Sequence, residues 1–303
     1  MIKSITIINY LGDSLKLDLK RPEQSGFIVK SINGLGPVKA DINTTEVSTN
    51  DGSIFNSARL QQRNITMRLL FMQTATETIE DIRQKSYKFF QLKKKLTVII
   101  DTDNRTLRTE GYTESNEPDI FSKEQGCNIS IICPSAYFYS NLENTTVLSG
   151  IESTFQFPFS NESIYEPLLK TGVITDLTEQ IVVYRGDSEI GITITIHALG
   201  DVEHLTIYNT GTREAMHIDT DRIRMLTGSG IIAGDDVVIS TVKSSKSVVL
   251  LRDGITTNIL NCLSKDTDWF QLSKGDNTFA FTAQSGENNV QLKIDNRIIY
   301  EGV

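Results

Sequence analysis

The three histidines are the residues of this chain best suited to metal or proton-transfer chemistry, since imidazole ligates metals and titrates near neutral pH. A two-residue turn at Gly200-Asp201 would place His197 opposite His204, with Glu203 adjacent. Side chains of such a pair approach within metal-binding distance, and His217 is a third candidate ligand. No ligand spacing of a known zinc motif accompanies them, so we favour half-exposed histidines on a hairpin over a metal site. We predict no metal and no cofactor.

Three further motifs begin like binding or catalytic sequences but lack a required residue. The residues from Asp101 start like a calcium loop, yet Thr106 stands where the loop needs glycine and Tyr112 where it needs glutamate. The stretch Gly228-Ser229-Gly230 lacks the lysine and hydroxyl residue of a phosphate-binding loop. The acidic pair Asp235-Asp236 adjoins a predicted strand, where turn chemistry explains it. We predict that the chain is not an enzyme; the alternative, a glycosidase, would need two carboxylates at a cleft.

The three cysteines are too few for a disulfide framework. Cys127 and Cys133 lie six residues apart in a segment that alternates like a strand, which puts both on one face. Their separation along a strand would be roughly 20 Å, whereas a disulfide needs Cα atoms within about 7 Å. We predict buried, unreactive thiols.

The composition excludes several classes of protein. The chain has 303 residues, of which 39% are hydrophobic and 22% charged, so it is expected to form two soluble domains of about 150 residues each. A net charge of −8 argues against a generally basic nucleic-acid binder. No apolar run approaches the ~20 residues that span a bilayer, and the first residues lack the plan of a signal peptide. We expect a protein that folds in a cytoplasm without membrane insertion.

A long hairpin is predicted in the first half. Residues 38–42 and 64–71 alternate between apolar and polar side chains, and the turn signal Asn50-Asp51-Gly52 lies between them. If the returning strand runs over residues 59–72, it is on the order of 45 Å long. A domain of 150 residues is only roughly 38 Å across. The hairpin is therefore predicted to project as an arm.

The tip of this arm, residues 46–59, is too polar to have a core of its own. Exposed strand edges tend to be paired or covered, which favours docking on a neighbouring subunit over a floppy surface loop. The residues predicted to make this subunit contact are Asp51, Gly52, Ile54, Phe55 and Arg59.

One helix is predicted among the strands of the first half. Thr74 and Glu77 have the spacing of a capping box, and Lys93 to Lys95 would close the helix where its dipole favours cations. The apolar stripe comprises Ile79, Ile82, Phe89 and Phe90.

The second half is predicted to be a β-sandwich or jelly roll without helices. Tight turns are expected at Asp253-Gly254 and Asp295-Asn296. The domains are predicted at residues 1–140 and 166–303, joined by a polar connector at 141–165. The predicted strands cover residues 190–197, 205–209, 237–241, 248–252, 278–282, 290–294 and 297–300.

Short segments in a characteristic order cover nearly the whole chain. In the first half they are Gly34-Leu35-Gly36-Pro37-Val38, the helix at 77–92 running into Lys94-Lys95-Leu96-Thr97-Val98, and Cys133-Pro134-Ser135-Ala136-Tyr137-Phe138-Tyr139. In the second half they are residues 204–209, 233–241, Ser247-Val248, Asp268-Trp269-Phe270-Gln271-Leu272 and residues 274–279. In this order and spacing the chain resembles the distal tail protein (Dit) family of long-tailed bacteriophages.

The resemblance implies a mainly β protein that forms a homohexameric ring at the tip of the virion tail. The N-terminal β-sandwich, with its one helix and projecting hairpin, would form the ring, and the C-terminal sandwich would be galectin-like. The ring would join the tail tube protein to the tail-associated hub protein, hold receptor-binding proteins or other baseplate parts, and let DNA pass. Assembly is expected in the cytoplasm of the bacterial host.

The residues agree with this implication. Six bodies of about 38 Å in a closed ring leave an opening about as wide as one body, enough for a duplex with grooves about 8 Å deep. An acidic lumen would let DNA slide, whereas a basic one would retain it.

The alternative function is a carbohydrate-binding module that stacks sugars on aromatic residues of the second half. Its candidate contacts are Trp269, Phe270, Tyr208 and Tyr184, although Trp269 fits a core anchor better.

Overall fold

The computed structural model describes residues 1–46, 51–147, 150–152, 173–175 and 179–303. The chain forms two compact units. Unit 1 consists of Met1–Leu142 together with Ile299–Val303, and unit 2 of Glu143–Ile298. Both are built mainly from antiparallel strands, which confirms the predicted mainly β fold class.

The helices and strands are numbered in chain order. The first half contains β1 (Ile2–Ile8), β2 (Ser14–Asp18), β3 (Phe27–Asn33), β4 (Ala40–Glu46), β5 (Ser53–Leu60), β6 (Arg63–Phe71), α1 (Ile79–Phe89), β7 (Lys95–Thr102), β8 (Thr106–Asp119), β9 (Gly126–Cys133) and β10 (Phe138–Ser140). The remainder contains β11 (Asn144–Val147), β12 (Gly150–Glu152), β13 (Val173–Thr175), β14 (Glu179–Tyr184), β15 (Ile190–Gly191), β16 (Thr193–Ala198), β17 (Thr206–Asn209), β18 (Glu214–His217), α2 (Thr220–Thr227), β19 (Asp236–Ser240), β20 (Ser247–Arg252), β21 (Ile255–Asn258), β22 (Gln271–Leu272), β23 (Gly275–Thr282), β24 (Val290–Asn296) and β25 (Ile299–Tyr300).

Unit 1 is organised around a nine-stranded sheet. Seven strands follow the order β2-β1-β7-β8-β9-β6-β3, while β10 pairs with both β8 and β25. Alternate residues of these strands point into one core because successive side chains of a strand face opposite sides. The core includes Ile5, Ile65, Val98 and Ile131, and α1 covers it with Ile82. The period-two pattern seen in the sequence therefore sets the buried face of each strand.

The N-cap of helix α1 lies four residues after the predicted one. Thr78 is the N-cap, and its hydroxyl and the carboxylate of Asp81 form the reciprocal capping box. Thr74 instead closes a separate turn, in which its Oγ1 accepts a hydrogen bond from the amide of Glu77 at 3.0 Å. Both pairs have the spacing of a capping box, and only Asp81 lies in the first turn of the helix. The predicted start of the helix was wrong for this reason.

The end of α1 also differs from the prediction. The helix ends at Phe89, so the lysine cluster lies outside it, and Lys95 is already the first residue of β7. Lys93 adopts a positive φ of 63°, a conformation incompatible with helix continuation. The lysines therefore belong to the connection that turns the chain back into the sheet.

The returning strand of the hairpin is divided in two. β5 ends at Leu60 and pairs with β4, whereas β6 begins at Arg63 and pairs with β3 and β9. The predicted continuous strand over residues 59–72 was wrong, since the chain changes from one sheet to another at residues 61–62. The hairpin proper is the separate two-stranded sheet β4–β5.

Unit 2 contains two larger sheets and two short strand pairs. The six-stranded sheet has the order β11-β24-β16-β19-β20-β21, and the four-stranded sheet has the order β14-β23-β17-β18. β12 pairs with β13 and β15 with β22. Alternate residues are buried, as Ile194 and Ile239 are in the first large sheet and Phe279 and Phe281 in the second. The core of unit 2 is thus formed by one face of each large sheet.

The prediction that the second half has no helix was wrong. Asp219 is the N-cap of α2, and its side chain accepts hydrogen bonds from two amides; the C-cap is Gly228, which adopts the left-handed conformation with φ of 89°. It spans only eight residues and buries only Thr220 and Ile223. So short an element does not produce the repeated apolar stripe by which a helix is recognised in a sequence.

The predicted tight turn at Asp295-Asn296 was also wrong. β24 continues through both residues and lies between β11 and β16, with Asp295 opposite Thr145 on one side and Thr193 on the other. Both edges of β24 are therefore occupied, and the following segment cannot fold back onto it. β25 pairs with β10 in unit 1 instead.

Candidate functional site

The hairpin β4–β5 is the most exposed element of unit 1. Every residue of β5 is exposed, and so are most residues of β4. Of the predicted contact residues, Ile54 and Phe55 keep 59% and 63% of their surface accessible. When neighbouring large apolar side chains of one strand are as exposed as these two, the surface is typical of one that another molecule covers.

The other predicted contact residues lie at both ends of β5. Asp51 and Gly52 are exposed in the turn, where the φ of 93° at Gly52 is a conformation that favours glycine. Arg59 is exposed near the base and pairs with Asp41, with 3.4 Å between Nε and Oδ2. Residues 47–50 of the predicted tip, with Asn50 of the turn signal, lie outside the described residues.

Arg63 anchors the segments from which the hairpin emerges. It is fully buried, with 0% of its surface accessible, and its guanidinium packs 4.1 Å from the centre of the Phe138 ring. It donates hydrogen bonds to main-chain carbonyl oxygens at 2.5 to 3.2 Å, and these oxygens belong to Gly34, Gly36, Ala136 and Glu301. We call this arrangement the hairpin base.

The hairpin base joins segments that are far apart in the sequence. Gly34 and Gly36 lie just before β4, Ala136 follows β9, and Glu301 follows β25. Burial lowers the pKa of Arg63 from its ordinary value, because desolvation disfavours the charged form. The converging carbonyl dipoles compensate by solvating the cation. The hairpin base therefore fixes the positions of the chain segments next to the hairpin.

Sequence reasoning missed Arg63, although a signal for it existed. Arg63 is in phase with Ile65, Met67 and Leu69, which point into the core from β6. An arginine at a position that the period-two pattern assigns to the interior requires internal hydrogen-bond partners. The sequence does not reveal that these partners are carbonyls from three other segments.

The three histidines do not form a cluster. His197 Nδ1 lies 2.7 Å from Asp236 Oδ1, His204 Nε2 lies 3.4 Å from Asp221, and His217 Nδ1 lies 3.0 Å from Thr206. The expected pairing of His197 with His204 fails because β16 pairs with β19 and β24, whereas β17 belongs to the other large sheet. Across the described ranges, no group of three or more metal-ligating side chains is found.

The acidic pair and the glycine-rich stretch have a structural role. Asp235 is 1% exposed and accepts hydrogen bonds from Arg252 at 2.5 and 2.8 Å. The same guanidinium donates to the Ser229 hydroxyl at 2.6 Å and to the Gly230 carbonyl at 2.5 Å. The hydrogen bond to Asp235 raises the pKa of Arg252. This ion pair fixes the loop after α2.

The motif that begins like a calcium loop is an ordinary turn between β7 and β8. Asp101 accepts hydrogen bonds from the hydroxyls of Ser4 at 2.8 Å and Thr106 at 2.9 Å. The turn closes through the Thr102 amide and the Arg105 carbonyl at 2.9 Å. Asp101 is therefore engaged in holding strands together.

The prediction of buried thiols agrees with the structure. Cys127 and Cys133 are both free and buried on one face of β9, and Cys262 is also free and buried. Burial raises the pKa of Cys127 to about 12 and also raises the pKa of Cys133 and Cys262. These thiols are packing residues.

Two protein-family models match the chain, one in each unit. The phage tail protein RIFT-related domain matches residues 19–129, and the siphovirus-type tail component, C-terminal domain, matches residues 185–297. The chain belongs to the distal tail (Dit) protein family of long-tailed phages. This family is one of structural tail proteins and not of known enzymes, so the prediction that the chain is not an enzyme is confirmed.

Comparison with solved structures shows that the chain shares the fold of the SPP1 Dit protein. The SPP1 Dit protein (gp 19.1), described as a paradigm of the hub adsorption apparatus in phages infecting Gram-positive bacteria, has a TM-score of 0.62 at 12% identity, covering 97% of this chain and 99% of that one. A chain of the phage P2 baseplate in its activated conformation with Ca has a TM-score of 0.49 at 11% identity, covering 98% of each chain. No curated protein matches the chain. Among the described residues, none of the helices could cross a membrane.

The aromatic residues considered for sugar binding in this Dit protein differ in accessibility. Phe270 is fully buried against Phe279, and Tyr184 is buried as well, so neither ring has a face open to a sugar. Trp269 is half-buried, with the Lys246 ammonium 4.8 Å from its ring centre. Tyr208 is half-buried and lies between Ala215 and Ala280 on the neighbouring strands.

Proposed function

We propose that six copies of this Dit protein form a closed ring at the distal end of the phage tail. The ring joins the tail tube protein to the tail-associated hub protein and carries receptor-binding proteins. DNA passes through the centre. Membership of the Dit family and a fold shared with SPP1 Dit support this role in the tail.

The observation that carries the proposal is the exposed hairpin β4–β5. A two-stranded ribbon is marginally stable on its own in water, so it gains stability from a partner that covers it. The apolar side chains of Ile54 and Phe55 stand at its tip without being buried by unit 1. In a closed ring each copy contacts the next head to tail, and a projecting element on one copy suits a contact of that kind.

The net charge of −8 supports the passage of DNA. A basic channel binds DNA by releasing condensed counterions, and it would therefore hold the genome back. An acidic ring exerts no such hold on a duplex that must move through it. The proposal places assembly in the host cytoplasm, where the tail tube and hub proteins would also be present.

The mass of the native assembly tests the ring. Six chains of 33.9 kDa weigh about 203 kDa, and this mass is expected by light scattering coupled to gel filtration. Tails purified from phage particles provide the second sample, with six copies per tail expected. Any other copy number in the tails would contradict the proposal.

A charge placed at the hairpin tip tests the contact. Phe55→Asp is expected to lower the assembled fraction at least tenfold, because a buried unpaired carboxylate opposes the contact. Phe121→Asp is the matched control, since Phe121 is 97% exposed in unit 1 and lies outside the hairpin. Equal assembly of Phe55→Asp and the wild type would contradict a role for the hairpin tip.

A second candidate function, sugar binding, is favoured by the setting of Tyr208. Ala215 and Ala280 stand directly opposite on the two neighbouring strands, so the side chains nearest to the phenol ring across the sheet are small. An aromatic face of this kind can stack on a pyranose ring. We expect wild-type signal on an array of bacterial cell-surface glycans and its loss in Tyr208→Ala. A silent array with the wild type would leave the ring as the sole function.

A further inference from the structure

Asn33-Gly34 is the one Asn-Gly dipeptide of this chain, and it lies at the hairpin base. Asparagine is among the thermally labile residues, because a main-chain nitrogen can attack its side-chain amide. Glycine in the next position favours the attack, since it has no side chain to obstruct the approach and its main chain rotates most freely. Asn33 is also exposed, so water has access to complete the reaction. These features single out Asn33 among the asparagines.

The folded chain holds this dipeptide through three contacts. Asn33 is the last residue of β3, and its main chain pairs with Thr66 of β6. Gly34 packs directly on β6, because a methyl group at its position would stand 1.9 Å from the Asn64 carbonyl oxygen. The Gly34 carbonyl in turn accepts a hydrogen bond from Arg63. Extended main chain turns the following nitrogen away from the side chain, so ring closure requires the peptide to rotate, and rotation breaks these contacts.

We propose that Asn33 is a site of spontaneous deamidation and that opening of the hairpin base sets the rate. The Gly34 nitrogen forms a bond to Cγ of Asn33, the bond from Cγ to the side-chain nitrogen breaks, and ammonia leaves with the proton of the Gly34 amide. Water then opens the cyclic imide. Attack of water at Cγ gives aspartate, and attack at the main-chain carbonyl carbon of residue 33 gives isoaspartate.

The isoaspartate product changes the main chain itself. Its peptide link runs through Cβ and Cγ, so one carbon atom is added between β3 and Gly34. The Gly34 carbonyl is held by Arg63, and the α-carbon of Gly34 lies against β6, so the added atom displaces a contact of the hairpin base. The aspartate product adds the same negative charge but keeps the normal main chain. Conversion to isoaspartate therefore loosens the base whose opening permits it.

The rate of conversion in matched variants tests the proposal. The wild type and Arg63→Met are incubated in the same mildly alkaline buffer, and the peptide that contains Asn33 is followed by liquid chromatography and mass spectrometry. We expect conversion at least tenfold faster in Arg63→Met, because a site that reacts only when open reacts in proportion to its open fraction. Arg68→Met leaves the hydrogen bonds of the hairpin base in place and should convert at the wild-type rate.

A second variant separates opening of the hairpin base from loss of the whole fold. Removal of residues 299–303 takes away the Glu301 carbonyl and leaves Arg63 in place, and we expect this variant also to convert faster than the wild type. Circular dichroism confirms that each variant is folded during the incubation. Asn64 and Asn128 are internal controls, because both are exposed asparagines of unit 1 followed by isoleucine, and they should stay unmodified.

Wild-type protein unfolded in guanidinium chloride gives the rate of the free dipeptide. The folded wild type is expected to convert at least tenfold more slowly than this. A peptide that stays unmodified even in the unfolded chain would show that Asn33 is not a modification site. Equal rates in the wild type and in both folded variants would overturn control by the hairpin base.

Hydrogen exchange tests the effect of the product. Asn33→Asp carries the new charge on a normal main chain, so residues 34–36 should exchange as in the wild type. In the isoaspartate fraction of aged wild-type protein the same residues are expected to exchange faster, because their contacts at the hairpin base are displaced. Exchange at the wild-type rate in the isoaspartate fraction would overturn the loosening of the base.

Discussion

Arg63 combines complete burial with a full set of hydrogen bonds and no carboxylate partner in the described part of the chain. A buried cation is tolerated when dipoles replace its hydration shell, and here four main-chain carbonyls do so. The same hydrogen bonds fix the positions of those carbonyls. Arg63 is therefore a structural residue that fixes the segments next to the hairpin.

We predict that Arg63→Met destabilises unit 1 by about 3 kcal/mol or more, because methionine fills much of the space but leaves buried carbonyls unpaired. The measurement is urea-induced unfolding followed by circular dichroism. Arg68→Met, in the same strand, is the control: Arg68 is partly exposed and pairs with Asp119 at 3.1 Å, so a loss below about 1 kcal/mol is expected. Similar losses in both variants would argue against a special role for Arg63.

Among the elements, α1 shows how the cap decides where a helix starts. Thr78 and Asp81 satisfy two amides of the first turn reciprocally. Hydrogen bonds from Thr78 lower the pKa of Asp81, because they favour its ionised form. The cap is thus complete above the ordinary pKa of an aspartate and weakens as the pH falls through the lowered value. Thr74 takes no part in it.

Replacing each of the two threonines by alanine, one at a time, tests the assignment of the helix cap. Thr78→Ala is expected to cost about 1 kcal/mol of stability, since an N-cap hydroxyl is lost, whereas Thr74→Ala should cost a few tenths of that. Thermal unfolding by calorimetry measures both. A larger effect for Thr74→Ala would show that the helix starts where the Thr74–Glu77 spacing alone suggests.

At the scale of the whole molecule, the chain leaves unit 1 after Leu142 and returns to it at Ile299. The returning segment supplies β25 as a partner for β10, and its Glu301 carbonyl accepts from Arg63 at 2.7 Å. The Val303 amide also donates to the Leu35 carbonyl at 3.0 Å. Unit 1 is therefore incomplete until unit 2 has been synthesised.

Removal of residues 299–303 is predicted to loosen the hairpin base while leaving unit 2 folded. Hydrogen exchange should become faster in peptides that contain β10 and Gly34 to Gly36, because their hydrogen-bond partners are lost. Peptides of the six-stranded sheet serve as the internal control and should exchange as in the full chain. Unchanged protection in β10 would contradict a structural role for the returning segment.

The local pattern was enough to identify much of this fold. Period-two alternation marked the buried faces of β1, β6, β16 and β19, because side-chain direction in a strand depends only on position along it. The same residues, in their order, led to the Dit family. The exposed side chains of the hairpin, with Phe55 and Arg59 among them, were also selected from sequence.

The sequence by itself thus determined the β class, the faces of the strands, the presence of α1 and the family of the protein. Only the tertiary structure decided which strand edges were free to pair. Because both edges of β24 are occupied, β25 pairs with β10 instead. It also decided the carbonyl partners of Arg63 and the register shift between Asn43 and Thr44 in the hairpin. The physical reason is that alternation is a property of neighbouring residues, whereas strand pairing and hydrogen-bond partnership depend on segments that are distant in the chain.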